Sequence, residues 1–215
     1  MTPQSSASAG QLIRVLAVVS LLCGVTIVVT DINTRARIRQ NQEIIMRESV
    51  AQLLPGIQKQ IIYGIEPSGD LTILPGVQGD APRLFAGYDA NGRLLGVVIE
   101  ASDRGYADVI NSMYAYDPDK KIVTGFKVVD MRETPGLGSR IGTDPDFQAN
   151  FKDLDASEDH PIATVKHGTK KNKWEIDAIS GATISSRAVG RALQKSVAAT
   201  APIVQKNLDR IRRAQ

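Results

Sequence analysis

The sequence predicts an α+β protein: a single N-terminal transmembrane helix, then one domain built on a curved, mainly antiparallel sheet with flanking helices. Three observations carry this expectation. An uncharged apolar run, VLAVVSLLCGVTIVVT, fills residues 15–30. From about residue 61 the pattern changes to short apolar runs punctuated by Gly, Asn, Asp and Pro, with Asn91-Gly92 between two of them. Strand-type runs dominate the middle and helix-type runs the ends, an order that favours an antiparallel α+β sheet over an alternating, doubly wound one.

The whole-chain numbers agree. A chain of 215 residues, 42% hydrophobic and 23% charged, holds one span plus one globular domain. The net charge of +3 comes from scattered Lys and Arg. No basic stripe is interleaved with aromatics, so nucleic acid is not an expected partner. The one cysteine, Cys23, lies in the apolar run and has no partner for an internal disulfide. It reads either as a small apolar residue or as one ligand of a cluster shared with another subunit. A cysteine-free remainder fits an oxidising compartment.

In chain order, residues 1–32 form the predicted transmembrane anchor. Leu12 and Ile13 extend the apolar run across Arg14, whose side chain can snorkel to the interface. A span needs about 20 residues, and this one reaches the short end of that range. A cleaved signal peptide would have an apolar core of about 7–15 residues and a small-x-small cleavage site. Here the run is longer and ends Val28-Val29-Thr30-Asp31-Ile32, so a retained anchor is expected. Arg35, Arg37, Arg39 and Arg47 follow it, and by charge bias alone they would place the domain in the cytoplasm.

Residues 33–56 read as a juxtamembrane helix, with Ile38, Ile44, Ile45 and Leu53 at roughly helical spacing and Leu54-Pro55-Gly56 as its stop. Residues 57–200 form the predicted domain. Strands are expected at 71–74, 83–88 and 94–100, the last two joined by Asp89-Ala90-Asn91-Gly92. A second hairpin pairs 112–116 with 122–129 through Asp117-Pro118-Asp119. A Gly-rich loop, a short helix near 146–151 and a strand at 173–176 follow. A helix from about 185 to 200 is expected to break before Pro202, and residues 201–215 form a charged helical tail.

Two segments carry chemistry. The first, Glu133-Thr134-Pro135-Gly136-Leu137-Gly138, sets two glycines around one apolar residue just after a strand. Glycine lets a backbone approach a ligand closely, although Pro-Gly turn chemistry alone also explains the loop. The second, Asp177-Ala178-Ile179-Ser180-Gly181-Ala182-Thr183-Ile184-Ser185-Ser186, runs from a strand through a Gly turn into a helix. That geometry offers free N–H groups and a positive helix end to a phosphate, with four hydroxyls as further donors; ordinary N-capping is the plainer explanation. His160 and His167 sit in polar stretches, Trp174 reads as a strand-packing residue, and neither metal-ligand spacing nor a Ser-His-Asp set is evident. Nothing resembles a hydrolase or transferase site.

Taken together, Asp177 with Ser180-Gly181-Ala182-Thr183 resembles the flavinylation motif of the FMN-binding domain family. The loop from Glu133 to Gly138 resembles that family's second signature, and Gly105-Tyr106-Ala107-Asp108-Val109-Ile110 a looser third. Within the family, a compact chain with a short N-terminal anchor is similar to the G subunits of Rnf electron-transport complexes. The C subunits of the sodium-translocating NADH:quinone reductase are the close alternative. The resemblance covers most of residues 50–200.

It implies FMN bound covalently by a phosphoester to Thr183, placed there by a flavin transferase, with Ser180, Gly181 and Ala182 around it. Glu133, Thr134, Pro135, Gly136, Leu137 and Gly138 would lie against the isoalloxazine or ribityl chain. It also implies an electron-transfer subunit of an ion-translocating ferredoxin/NAD-type oxidoreductase, with no catalytic residue and no turnover of its own. The implied partners are the other membrane and iron–sulfur or flavin subunits of the complex. The implied location is the bacterial inner membrane, single-pass, with the domain facing the periplasm, against the charge bias.

Overall fold

The computed structural model describes residues 8–76 and 82–214. The first seven residues of the predicted anchor, residues 77–81 of the predicted domain and Gln215 of the predicted tail lie outside it. The chain divides into two units, Met1–Ile44 and Ile45–Gln215.

Helix α1 (Ala9–Leu53) supplies the first unit and runs without a break to its end in the second. Its segment Ala9–Arg35 has 27 residues and includes an 18-residue window with a mean hydropathy of 2.6. At 1.5 Å per residue it is about 40 Å long, enough to cross a hydrocarbon layer of about 30 Å. Its large apolar side chains point outward, Leu16 and Ile27 being 68% and 69% exposed, and Cys23 is exposed among them. The hydroxyls of Thr26 and Thr30 donate to the carbonyls of Leu22 and Thr26, both at 2.8 Å. These two hydroxyls thus find acceptors within the helix, which suits an apolar surrounding.

The second unit is built on a sheet of β1 (Lys59–Ile65), β2 (Leu71–Leu74), β3 (Arg83–Tyr88), β4 (Leu94–Arg104), β5 (Val109–Asp117), β6 (Ile122–Asp130) and β7 (Leu154–Asp155). The spatial order is β2-β1-β3-β4-β5-β6-β7 and each pair is antiparallel. The two expected hairpins are present. In the first, Gly92 takes φ +76, which its missing Cβ allows. A third hairpin lengthens β4 to Arg104 and turns through residues 105–108 into β5.

Helix α2 (Pro145–Ala149) is the expected short helix. It starts where the Asp144 carboxylate accepts the Phe147 N–H at 3.1 Å, with Pro145 in the first turn. Two short strands, β8 (Ala163–Val165) and β9 (Glu175–Asp177), pair in parallel beside the main sheet, and the expected strand at 173–176 is this β9. The Trp174 ring, just before β9, stacks on His160 with centroids 4.0 Å apart.

Helix α3 (Thr183–Lys206) departs from expectation at both ends. It begins two residues early and passes through Pro202 instead of stopping at Thr200. Proline costs the helix one hydrogen bond, but Ala201 and Val204 on either side of it are buried, and that packing outweighs the loss. Helix α4 (Leu208–Arg213) follows, with Ile211 buried and its carbonyl accepting the Tyr88 hydroxyl at 2.6 Å.

Alternation along the strands sorts side chains into two cores. Leu84, Ala86, Val97, Ile99, Tyr114 and Tyr116 face α3 with its Ala188, Val189, Ala192 and Leu193. Their neighbours Phe85, Val98, Met113 and Ala115 face the opposite way, onto Val50 and Leu54 at the end of α1. Glycines let that helix end come close. A Cβ on Gly87 would lie 2.6 Å from Leu54 Cδ1 and 2.8 Å from Ile57 Cδ1, and one on Gly125 3.1 Å from Leu53 Cδ2.

Candidate functional site

The segments singled out in the sequence meet at one end of the sheet, where β4 turns into β5, β6 ends and α3 begins. Thr183 is the first residue of α3 and is half-buried. The turn before it is clasped from inside. Ala182 N–H donates to the Ile179 carbonyl at 3.0 Å. Ser186 Oγ accepts the Ile179 N–H at 3.1 Å and donates to the Ala182 carbonyl at 2.9 Å. Gly181 has φ +82, a conformation that costs other residues strain. Ser180 and Gly181 stay exposed and Ala182 is buried.

The start of α3 carries no side-chain cap. Ser185 and Ser186, expected as donors toward a phosphate, are both buried and turned inward. The amides of the first turn therefore keep their free N–H groups at the positive end of a 24-residue helix. An open helix start next to a threonine hydroxyl suits a phosphate group.

Farther back, Asp177 steadies the approach to this turn. Its carboxylate accepts the Gly168 N–H at 2.8 and 3.0 Å. Its own N–H donates at 3.0 Å to Oδ1 of buried Asn150, which also accepts Lys170 Nζ at 3.0 Å. Burial pushes the Lys170 ammonium below its ordinary pKa. His167 Nδ1 lies 3.1 Å from the Ala178 carbonyl.

The loop of residues 133–138 is a tight turn. The Thr134 carbonyl accepts the Leu137 and Ser139 N–H groups, each at 3.2 Å. Gly136, at φ +74, donates its N–H to Ser139 Oγ at 2.9 Å. Thr134, Pro135, Gly136 and Leu137 are exposed, whereas Glu133 and Gly138 are buried. Glu133 Oε2 accepts the Ser185 hydroxyl at 2.5 Å, and Oε1 accepts the Ala107 N–H at 3.0 Å. The Leu137 side chain reaches α3's approach turn, with Cδ2 3.9 Å from where a Cβ on Gly181 would stand.

Sequence reasoning missed the apolar surface around this junction. Beyond α1, the large hydrophobic side chains exposed among the described residues are Ile73, Tyr106, Val109, Leu137 and Ile184. Four of these five belong to the segments that meet here. The signal was available in Tyr106 and Ile184, which lie within the quoted segments, but exposure is a tertiary property. At the other end of the sheet a cleft of about 670 Å³ is lined by residues 91–96, 117–119 and Arg212, and it includes none of the motif residues.

Residues 105–198 match the FMN-binding domain family. The chain is 32% identical over 189 residues to the G subunit of the ion-translocating oxidoreductase complex of Methanosarcina acetivorans, covering 87% of this chain and 92% of that protein. It is 35% identical over 105 residues to the G subunit of the proton-translocating ferredoxin:NAD(+) oxidoreductase complex of Clostridium ljungdahlii, covering 49% of this chain and 53% of that one. Its fold is that of NqrC from Shewanella oneidensis, with a TM-score of 0.66 at 20% identity over 80% of this chain and 99% of that chain.

Proposed function

Because the chain belongs to the G-subunit family of ion-translocating oxidoreductase complexes, we propose that it is the electron-transfer subunit of such a complex and carries FMN joined through its phosphate to the Thr183 hydroxyl. One observation carries this reading: an uncapped helix start at Thr183 stands beside apolar side chains exposed on three adjoining segments. A phosphate there would lie among open amides at the positive end of α3. Tyr106, Leu137 and Ile184 offer the apolar surface that a flavin ring covers. Ser180, Gly181 and Ala182 border the phosphate. Thr134, Pro135, Gly136 and Leu137 flank the ring and ribityl chain, and Glu133 and Gly138 brace the loop from behind.

Attachment is a transfer from FAD by a flavin transferase. The bond from Thr183 Oγ to phosphorus forms, the pyrophosphate P–O bond of FAD breaks, AMP leaves, and the hydroxyl proton passes to a base of the transferase. Thr183 is the acceptor and not a catalyst. Bound FMN supplies one- and two-electron chemistry, while this chain holds and orients it. A covalent tie keeps the carrier loaded through repeated transfers among iron–sulfur and flavin subunits of the complex. The same reading divides the chain into an anchor (1–32), a juxtamembrane helix (33–56), the FMN-binding domain (57–200) and a C-terminal tail (201–215). It sets the domain on the periplasmic side of the bacterial inner membrane.

The test is in-gel flavin fluorescence of the denatured full chain, co-expressed with a flavin transferase, beside Thr183→Ala. A bright wild-type band and a dark variant are expected. A dark wild-type band, with a control acceptor bright in the same cells, would overturn the phosphoester and leave a non-covalent phosphate-ligand module.

A further inference from the structure

We propose that Glu133 is the positioning residue of the flavin site: its buried carboxylate locks the 105–108 turn, the 133–138 loop and the first turn of α3 into one surface that holds the flavin ring. This rests on the reading that FMN is attached at Thr183.

Glutamate is seldom buried, because desolvating a carboxylate is costly unless hydrogen bonds replace water. Glu133 is only 7% exposed. Its two oxygens are satisfied by donors from two distant parts of the chain, the Ala107 amide 26 residues before it and the Ser185 hydroxyl 52 residues after it. Hydrogen bonds to an ionised acceptor are stronger than neutral ones. A negative charge at the first turn of α3 is also favoured by the helix dipole. Two glycines complete the fit. A Cβ on Gly105 would stand 2.4 Å from Oε1, and one on Gly138 2.4 Å from Oε2. The glutamate that opens the loop motif and the glycine that closes it thus belong to one packing arrangement.

Tyr106, Leu137 and Ile184 ride on the three segments so joined. Thr183 has separate support, because its approach turn is held by Ser186, Asp177 and Asn150. Removing the carboxylate therefore loosens the surface under the ring while leaving the acceptor hydroxyl available. Flavin is still attached but is no longer held. Glutamine keeps both bonds, its carbonyl accepting from Ala107 and its amide donating to Ser185 Oγ.

The experiment uses the full chain in detergent, co-expressed with a flavin transferase, as wild type, Glu133→Ala, Glu133→Gln and Ser185→Ala. Three quantities are read: covalent flavin per chain after denaturation, iodide quenching of flavin fluorescence in the native protein, and the flavin midpoint potential. Glu133→Ala is expected to label like wild type, to lose its protection from iodide down to the urea-unfolded value, and to shift its potential toward that of free FMN. Glu133→Gln should match wild type in labelling and iodide protection, with its potential raised by the lost negative charge, and Ser185→Ala should fall between wild type and Glu133→Ala in protection. The proposal is overturned if Glu133→Ala keeps wild-type quenching and potential, if Glu133→Gln is as open to iodide as Glu133→Ala, or if wild-type flavin is already as open as in urea. Should Glu133→Ala fail to fold, wild-type quenching in Ser185→Ala would overturn it equally. A wild type without covalent flavin strikes the Thr183 reading instead, and hydrogen exchange at the Ala107 amide of the unlabelled variants then decides: acceleration in Ser185→Ala supports the clasp, wild-type exchange overturns it.

Discussion

Gly138 has a carboxylate where a side chain would begin, and Gly136, two residues earlier, has open space and a left-handed backbone. The two glycines of one loop are therefore glycine for different reasons. Gly138→Ala forces Glu133 to move and is expected to cost about 1–3 kcal/mol, as overpacking does. Gly136→Ala meets no neighbour and carries only backbone strain, about 1–2 kcal/mol. Urea unfolding of the two variants measures the difference. Only the Gly138 variant should also open the flavin to iodide. The sequence announces both glycines equally, because a Gly-x-Gly pattern records that Cβ is unwelcome and not what stands in its place. The inward turn of Glu133 was likewise invisible, since a lone glutamate in a loop is ordinarily solvated.

Among the elements, α2 shows how a short helix depends on its first residue. The Phe147 N–H donates to the Asp144 carboxylate, and together with Arg140 this holds the Asp144 pKa below the usual carboxylate value. A depressed folded-state pKa gives stability that is present above the unfolded value of about 3.9 and fades as pH falls through the folded one. Asp144→Asn, which can still cap, is expected to flatten the fall of Tm as pH drops below about 4; Asp144→Ala should cost about 1 kcal/mol at neutral pH. The end of α1 makes a different point, because close packing holds it, beside one hydrogen bond from Lys127 Nζ to Gln52 Oε1 at 2.7 Å. Leu54 sits over Gly87 and Gly96, and Leu54→Ala is expected to cost about 2–4 kcal/mol in the same unfolding assay. The hairpins were legible because Asn91-Gly92 and Asp117-Pro118-Asp119 encode turns within four residues. The passage of α3 through Pro202 was not, because burial of Ala201 and Val204 against distant strands overrides a local breaker.

For the molecule as a whole, the sequence disclosed its two characters, an apolar helix and a strand-rich domain, since each is a matter of composition and period. It did not disclose that the charged C-terminal helix buries Ile211 and takes the Tyr88 hydroxyl, as one apolar residue among arginines gives little signal. The full chain is expected to stay with membranes through a carbonate wash, whereas a chain starting at Ile45 should appear in the soluble fraction and still unfold cooperatively; fractionation followed by a melting curve checks both. The placement of Cys23 on α1 has a practical corollary. The sheet-bearing unit has no sulfhydryl, so dithiothreitol and diamide should leave its melting temperature alike. Any cysteine introduced there becomes a unique attachment point for a spin label or dye once Cys23 is changed to alanine. Conversely, the native chain offers lipid-soluble maleimides a single target, which makes the depth of its helix measurable without altering one residue.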